Sequence, residues 1–348
     1  MALTKRIPTL DGWRGVAILM VIVTHLQSGL LGHVWRYKWM DLGQHGVSMF
    51  FVLSGFLITS RLLAEEKIGL RRFYLRRVFR LMPCAWAYLA FVALFGLAFK
   101  LHIIGEDVWA CLFFFRNYLP EQSANAMTSH FWSLSIEEQF YLVWPFLLFL
   151  AGKRKAFWIG LSVALACAAY RFHHWDHLSG GIYNLHTEVR IDALMAGCLF
   201  AILNSHEPFR RQLQQNVGIP LASSLLATCL CIYNYQTFVP LTESAFIGLA
   251  ITCTSLAPSS LAGRVLEYKH LKFLGVLSYS LYVWQEFFLV PHWGPIGIAI
   301  LPLIAIASFS LIERPGIALG RWLEARLRSA HETTETNLKS DPQEVEPA

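Results

Sequence analysis

Residues 11–30 read DGWRGVAILMVIVTHLQSGL, a helix-length apolar run that nevertheless carries Arg14 and His25. In an α-helix the step from Arg14 to His25 closes to within roughly 20° of the same face and rises about 16 Å. One face therefore carries both side chains, about three turns apart. An intramembrane guanidinium or imidazole is costly and faces a protein interior or a polar cavity, so the pair marks a membrane helix with a functional site on it.

The same apolar signal recurs along the chain. Beyond 11–30, runs fall at 45–64, 81–100, 131–151, 156–172, 189–204, 217–234, 243–258, 273–290 and 294–312. With 55% hydrophobic and 15% charged residues in 348, the composition excludes an ordinary soluble domain. The expected fold is all-α and polytopic, with about ten transmembrane helices, of which 189–204 and 243–258 are the shortest. Lys5 and Arg6 precede the first run and no small-residue cleavage site follows it, so a retained helix is expected rather than a signal peptide. Residues 107–115 are apolar but short, which suits a re-entrant or interface-lying segment.

Charge placement gives the orientation. Arg61, Lys67, Arg71, Arg72, Arg76, Arg77 and Arg80 crowd one connection, and Lys153, Arg154 and Lys155 another. Arg210 and Arg211, then Arg264, Lys269 and Lys272, then Arg321, Arg326 and Arg328 follow. If the runs alternate as spans, every cluster and both termini fall on one side, which the positive-inside rule assigns to the cytoplasm. The domain plan is a transmembrane unit over 1–316 and a cytoplasmic tail over 317–348, disordered from about 330 on its polar composition. The seven cysteines lie mostly in apolar runs and read as small buried hydrophobes. No metal site, repeat, glycine-rich nucleotide motif or nucleic-acid partner is expected.

The chemistry-bearing residues are few. His130 to Tyr141 opens the fourth run with Glu137 and Glu138, and the assumed topology puts Glu137 at a depth similar to that of His25. A histidine oriented by a carboxylate is a general base for a hydroxyl. The same two residues also suit a simple interhelical hydrogen bond. Arg77 and Arg80, three apart, share a helical face and form a paired guanidinium site for phosphates, although such runs also serve as topology signals or anionic-lipid contacts. Arg190 and Asp192 open the sixth run, either as an anchoring pair or as sugar contacts. Tyr279, Tyr282 and Trp284 offer stacking faces, or belt residues. Pro145 is expected to bend the fourth helix. His173, His174 and His177 read as surface residues.

These residues resemble, in order over about 8–316, the membrane-bound acyltransferase-3 family. The likeness rests on the Arg14–His25 spacing, Arg77-Val78-Phe79-Arg80, the His130–Tyr141 block, Arg190-Ile191-Asp192-Ala193-Leu194, Gly275–Trp284 and Ile312-Glu313-Arg314-Pro315. The resemblance implies an integral enzyme of the inner (cytoplasmic) membrane that moves an acyl group, commonly acetyl, from acyl-coenzyme A to a sugar hydroxyl of a polysaccharide, lipopolysaccharide or other glycoconjugate. No permanently bound cofactor is implied; acyl-coenzyme A is a co-substrate. On that expectation His25 is the base oriented by Glu137. Arg77, Arg80 and Arg14 take the donor, and Arg190, Asp192, Trp132 and Tyr282 contact the acceptor. One departure stands out: Gln285 occupies the position where the family usually has histidine. A secondary transporter with a buried polar path is the competing expectation, although paired broken helices in matching halves are not evident.

Overall fold

The computed structural model describes residues 7–29, 42–65, 69–100, 105–120, 125–174, 185–233, 240–289 and 293–340. Lys5, Arg6, Lys67 and the stretch Trp175 to His177 lie outside them. Among the described residues the chain is helical and contains no strand. That is the solution open to apolar segments in lipid, where each backbone N–H and C=O must find its partner within the segment.

In chain order the helices are α1 (Pro8–Gly29), α2 (Leu42–Ala64), α3 (Leu70–Ala98), α4 (Gly105–Leu112), α5 (Phe131–His173) and α6 (Thr187–Asn204). They continue with α7 (Glu207–Gln215), α8 (Gly218–Tyr233), α9 (Pro240–Leu256), α10 (Leu261–Leu266), α11 (Lys269–Leu289), α12 (Gly294–Ser308) and α13 (Arg314–Ser340). A π turn, Phe309–Glu313, joins the last two. Among the described residues, each apolar run read from the sequence lies mainly in helix. The tail stays helical to Ser340, past the point from which its composition predicts disorder.

Five stretches are long and apolar enough to cross a membrane: Pro8–Leu26, Leu42–Ala64, Leu70–Ala98, Ala126–His173 and Pro295–Leu327. A sixth joins them if α7 and α8, bent by 88°, act as one broken span. The difference from ten has a physical origin. α5 holds two of the expected spans, divided at Gly152, whose φ of 69° and ψ of 165° leave the helical region. That left-handed φ is open to glycine without a Cβ penalty. The dihedral break expected near Pro145 is therefore found at Gly152. α9, with 17 residues, is too short, and α6 and α11 fall short because they carry polar residues into the interior, among them Asp192, Ser278, Ser280 and Gln285, all buried.

Close helix approach holds the bundle together, as expected where lipid supplies no hydrophobic drive between helices. α2 and α6 meet at Gly55 and Gly197: a Cβ on either would lie 2.0 or 2.1 Å from a backbone oxygen of the other helix. α1 and α11 meet likewise at Gly275, where a Cβ would stand 1.7 Å from the Asp11 carbonyl oxygen. Their contact runs parallel, which places Arg14 near the start of α11 and His25 toward its end. Segment 107–115 forms α4 and the turn after it. Asp107, fully buried, pairs with Arg116 at 2.7 Å and accepts from the Thr128 hydroxyl, which fixes the entry to α5 just before His130.

Candidate active site

Arg14 of α1, Ser54 of α2, Arg77 of α3, Glu137 of α5 and Tyr282 of α11 face one cavity with an empty volume of about 480 Å³. Phe50, Phe51, Leu81, Ser133, Ser278 and Tyr279 complete much of its wall. Its mix of apolar wall and a few convergent polar groups is that of a small-molecule site.

The basic end is assembled by the α3 helix, whose two faces separate its arginines. Arg72 and Arg76 turn outward and both reach Glu324 of α13 at 2.5 Å. Arg77 turns inward, 3.4 Å over the Tyr141 ring and 3.9 Å from Glu137 Oε2. Glu137 Oε1 accepts from the Ser54 hydroxyl at 2.7 Å. Arg80 lies within electrostatic reach of Arg14, Arg61, Arg77 and Glu313, and Glu313 accepts from Ser280 at 3.0 Å. Among the described residues, Arg14, Arg61 and Arg80 make no ion pair, and the buried Nε atoms of Arg77 and Arg80 have no hydrogen-bond partner. Buried donors left open in this way are rare, and here they point to an anionic ligand.

Moving along the bundle, α5 and α11 oppose two polar rows of helical period. Glu137, Ser133 and His130 line one, and Ser278, Tyr282 and Glu286 the other. The Ser133 and Tyr282 hydroxyls are hydrogen bonded to each other and each lies 3.2 Å from the His130 carbonyl oxygen, so one donates to its neighbour while the other donates to the carbonyl. Glu286 Oε2 receives the His130 backbone N–H at 2.8 Å and lies 2.7 Å from its Nδ1. Ser129 donates to Glu286 Oε1.

The family described as an acyltransferase domain matches residues 7–312. The chain belongs to the acyltransferase-3 family. Among curated proteins, YrhL of Bacillus subtilis is 28% identical, covering 89% of this chain and 55% of its own length. The peptidoglycan O-acetyltransferase OatA of Listeria monocytogenes is 27% identical, with 89% and 56% covered. The O-acetyltransferase OatA of Staphylococcus aureus is 29% identical, with 89% and 57% covered. The chain thus spans a little over half the length of the curated relatives it matches. No solved structure matches it.

Within this acyltransferase domain the sequence-derived residues separate into three groups. Arg14, Arg77, Glu137 and Tyr282 come together at the cavity, with Arg80 beside it. His25 is not among the wall residues. Its Nδ1–H donates to the Val21 carbonyl at 2.8 Å, so Nε2 carries the lone pair of the neutral ring. The expected His25–Glu137 pairing is corrected: Glu137 is engaged by Ser54 and Arg77, and Glu286 is a carboxylate whose charge couples to His25. The cause is depth. His130 is itself buried, and Glu137, about two turns further along α5, shares a cavity wall with Arg14 that His25 does not join.

The third group lies apart from the cavity. Arg190 and Asp192 do not pair. Asp192 is fully buried and binds Arg171 Nη2 at 2.5 Å, while Arg190 donates to Gln44 at 2.6 Å and stands 5.8 Å from the Trp132 ring centroid. Asp192 is therefore a structural partner. Asp192→Asn is expected to cost about 3–5 kcal/mol, the usual penalty for stranding a buried charge. A large fall in detergent melting temperature with unchanged KM for substrates would bear this out; a raised KM with normal melting would restore Asp192 to the substrate.

Sequence reasoning missed Ser54, whose type carries no signal alone. It quoted His130, Tyr141 and Glu313 without assigning them roles. It also missed a buried pair, His45 Nδ1 to Glu243 Oε1 at 2.7 Å, which joins α2 to α9.

Proposed function

We propose that this protein is a multi-pass O-acetyltransferase of the inner membrane, moving acetyl from acetyl-coenzyme A to a hydroxyl of a cell-wall glycan sugar. The observation that carries this reading is the arginine-walled cavity, with unpartnered buried guanidinium nitrogens at one end and the hydroxyls of Ser54, Ser133 and Tyr282 in its wall. The peptidoglycan O-acetyltransferase among its relatives supports a glycan acceptor. Arginine clusters at the same end support a ten-span arrangement with that end and both termini cytoplasmic, where the donor is made.

On this reading Arg77, Arg80 and Arg14 bind the donor phosphates, and the pantetheine arm runs along the α5 and α11 rows. The acceptor oxygen attacks the thioester carbonyl: a C–O bond forms and the C–S bond breaks. The hydroxyl proton passes to His25 Nε2 and returns to the thiolate, so the products are the ester and free coenzyme A. Trp132 and Arg190 offer a stacking face and a donor for the acceptor sugar.

The test is transfer of radiolabelled acetyl from acetyl-coenzyme A to glycan oligomers by membranes containing the protein. Arg77→Ala is expected to raise KM for acetyl-coenzyme A about 10- to 100-fold, matching the loss of charged hydrogen bonds worth about 1.5–3 kcal/mol. Membranes that move a sugar or ion across the bilayer without consuming the thioester would instead identify a transporter.

A further inference from the structure

The carboxylate expected to orient the base is engaged elsewhere, and a different one occupies its place. Glu286 is bound on both oxygens: Ser129 donates to Oε1, and the His130 backbone N–H donates to Oε2. Its Oε2 also lies 2.7 Å from His130 Nδ1. This orients the His130 ring, which is 3% exposed, and leaves its Nε2 buried with no hydrogen-bond partner among the described residues. The same carboxylate couples electrostatically to His25 of α1. We propose that Glu286 is the positioning carboxylate of the proton-transfer centre, holding His130 and serving His25, the role that sequence spacing assigns to Glu137.

The surroundings fit that role. The groups facing His130 are Tyr88 from α3, with its ring centroid 5.4 Å away, and Tyr282 from α11 at 5.6 Å. Behind Tyr88 stands Asp107, already paired with Arg116. Glu286 is thus the carboxylate in direct contact with the imidazole. When the acceptor hydroxyl gives its proton to His25, Glu286 stabilises the cation that forms. The proton then leaves for the thiolate as the C–S bond breaks, and the centre returns to its starting state. This rests on the O-acyltransferase reading above.

The experiment is the pH dependence of kcat for acetyl transfer, measured in membranes normalised for protein. Glu286→Gln keeps an oxygen for the His130 N–H but removes the charge, so the base loses its stabilised cation. The acid limb of the profile is expected to move down by about one pH unit or more, and the plateau to fall at least tenfold. Glu286→Asp restores part of both, and Glu137→Gln leaves the limb where it was while raising KM for the donor. A limb unmoved in Glu286→Gln, with activity merely reduced in proportion to folded protein, overturns the proposal. A limb that moves in Glu137→Gln and not in Glu286→Gln does so too. If the unmodified protein transfers no acetyl at any pH, the O-acyltransferase reading fails and takes this proposal with it; a transferring wild type with an unmoved limb sinks this proposal alone.

Discussion

Replacing His25 with alanine is expected to lower kcat for acetyl transfer by about 10²–10⁴ while leaving KM for acetyl-coenzyme A near its wild-type value. The argument starts from one hydrogen bond. Because a carbonyl only accepts, the contact with Val21 makes Nδ1 the protonated ring atom of the neutral imidazole and leaves the lone pair on Nε2, the atom that acts as base in the proposed reaction. Alanine removes that acceptor without disturbing Arg14, Arg77 or Arg80, which lie at the other end of the polar rows. His25→Asn keeps a polar side chain that cannot take a proton near neutral pH, and so is expected to fail as badly. Rate measurements at saturating donor, on membranes with matched protein, decide it. Turnover at the wild-type level in both variants would remove His25 from the chemistry, and a rise in KM alone would move it to the donor site.

The second large effect is structural. Gly197→Val is expected to abolish a monodisperse, folded preparation, since the added Cβ alone would stand 2.1 Å from the Val52 carbonyl oxygen and 2.7 Å from the Phe56 nitrogen. Over-packing costs about 1–3 kcal/mol where side chains yield. Here the obstacle is main chain on a neighbouring helix, which cannot rotate aside, so α2 and α6 must separate. α2 carries Phe50, Phe51 and Ser54 into the cavity wall, so the separation opens the site as well as the fold. Gly197→Ala should show a milder version of the same loss. Size-exclusion profile and melting temperature in detergent are the readouts, and a Gly197→Val protein that melts like wild type would mean that the two helices do not approach this closely.

The membrane helices were legible in the sequence because each is a continuous apolar run, and Arg14, Arg77 and Glu137 were legible because lipid makes such residues conspicuous. What periodicity cannot give is depth. The Glu137 estimate placed the start of α5 at the membrane boundary, whereas the Asp107–Arg116 pair and Thr128 bury that start inside the fold. Partner choice was equally hidden. Arg190 and Asp192 are two residues apart, and such neighbours point to different sides of a helix, so each found its partner on another element. His45 and Glu243, separated by most of the chain, met for the same reason: only tertiary packing brings them together. Within one crowded basic segment, pattern alone selected Arg77 and Arg80. The structure supplies the cause, since Glu324 engages the opposite face of that helix.

The rise from Arg14 to His25 works as a ruler. About 16 Å of helix separates the guanidinium end from the level of His25. A donor that grips the arginines by phosphate must therefore carry its acyl group on a long tether. Acetyl phosphate, whose acyl carbon is one oxygen away from phosphorus, can occupy either end but not both at once. On the proposed function, the bundle would discriminate among activated acyl compounds by reach, before any contact with the acyl group itself.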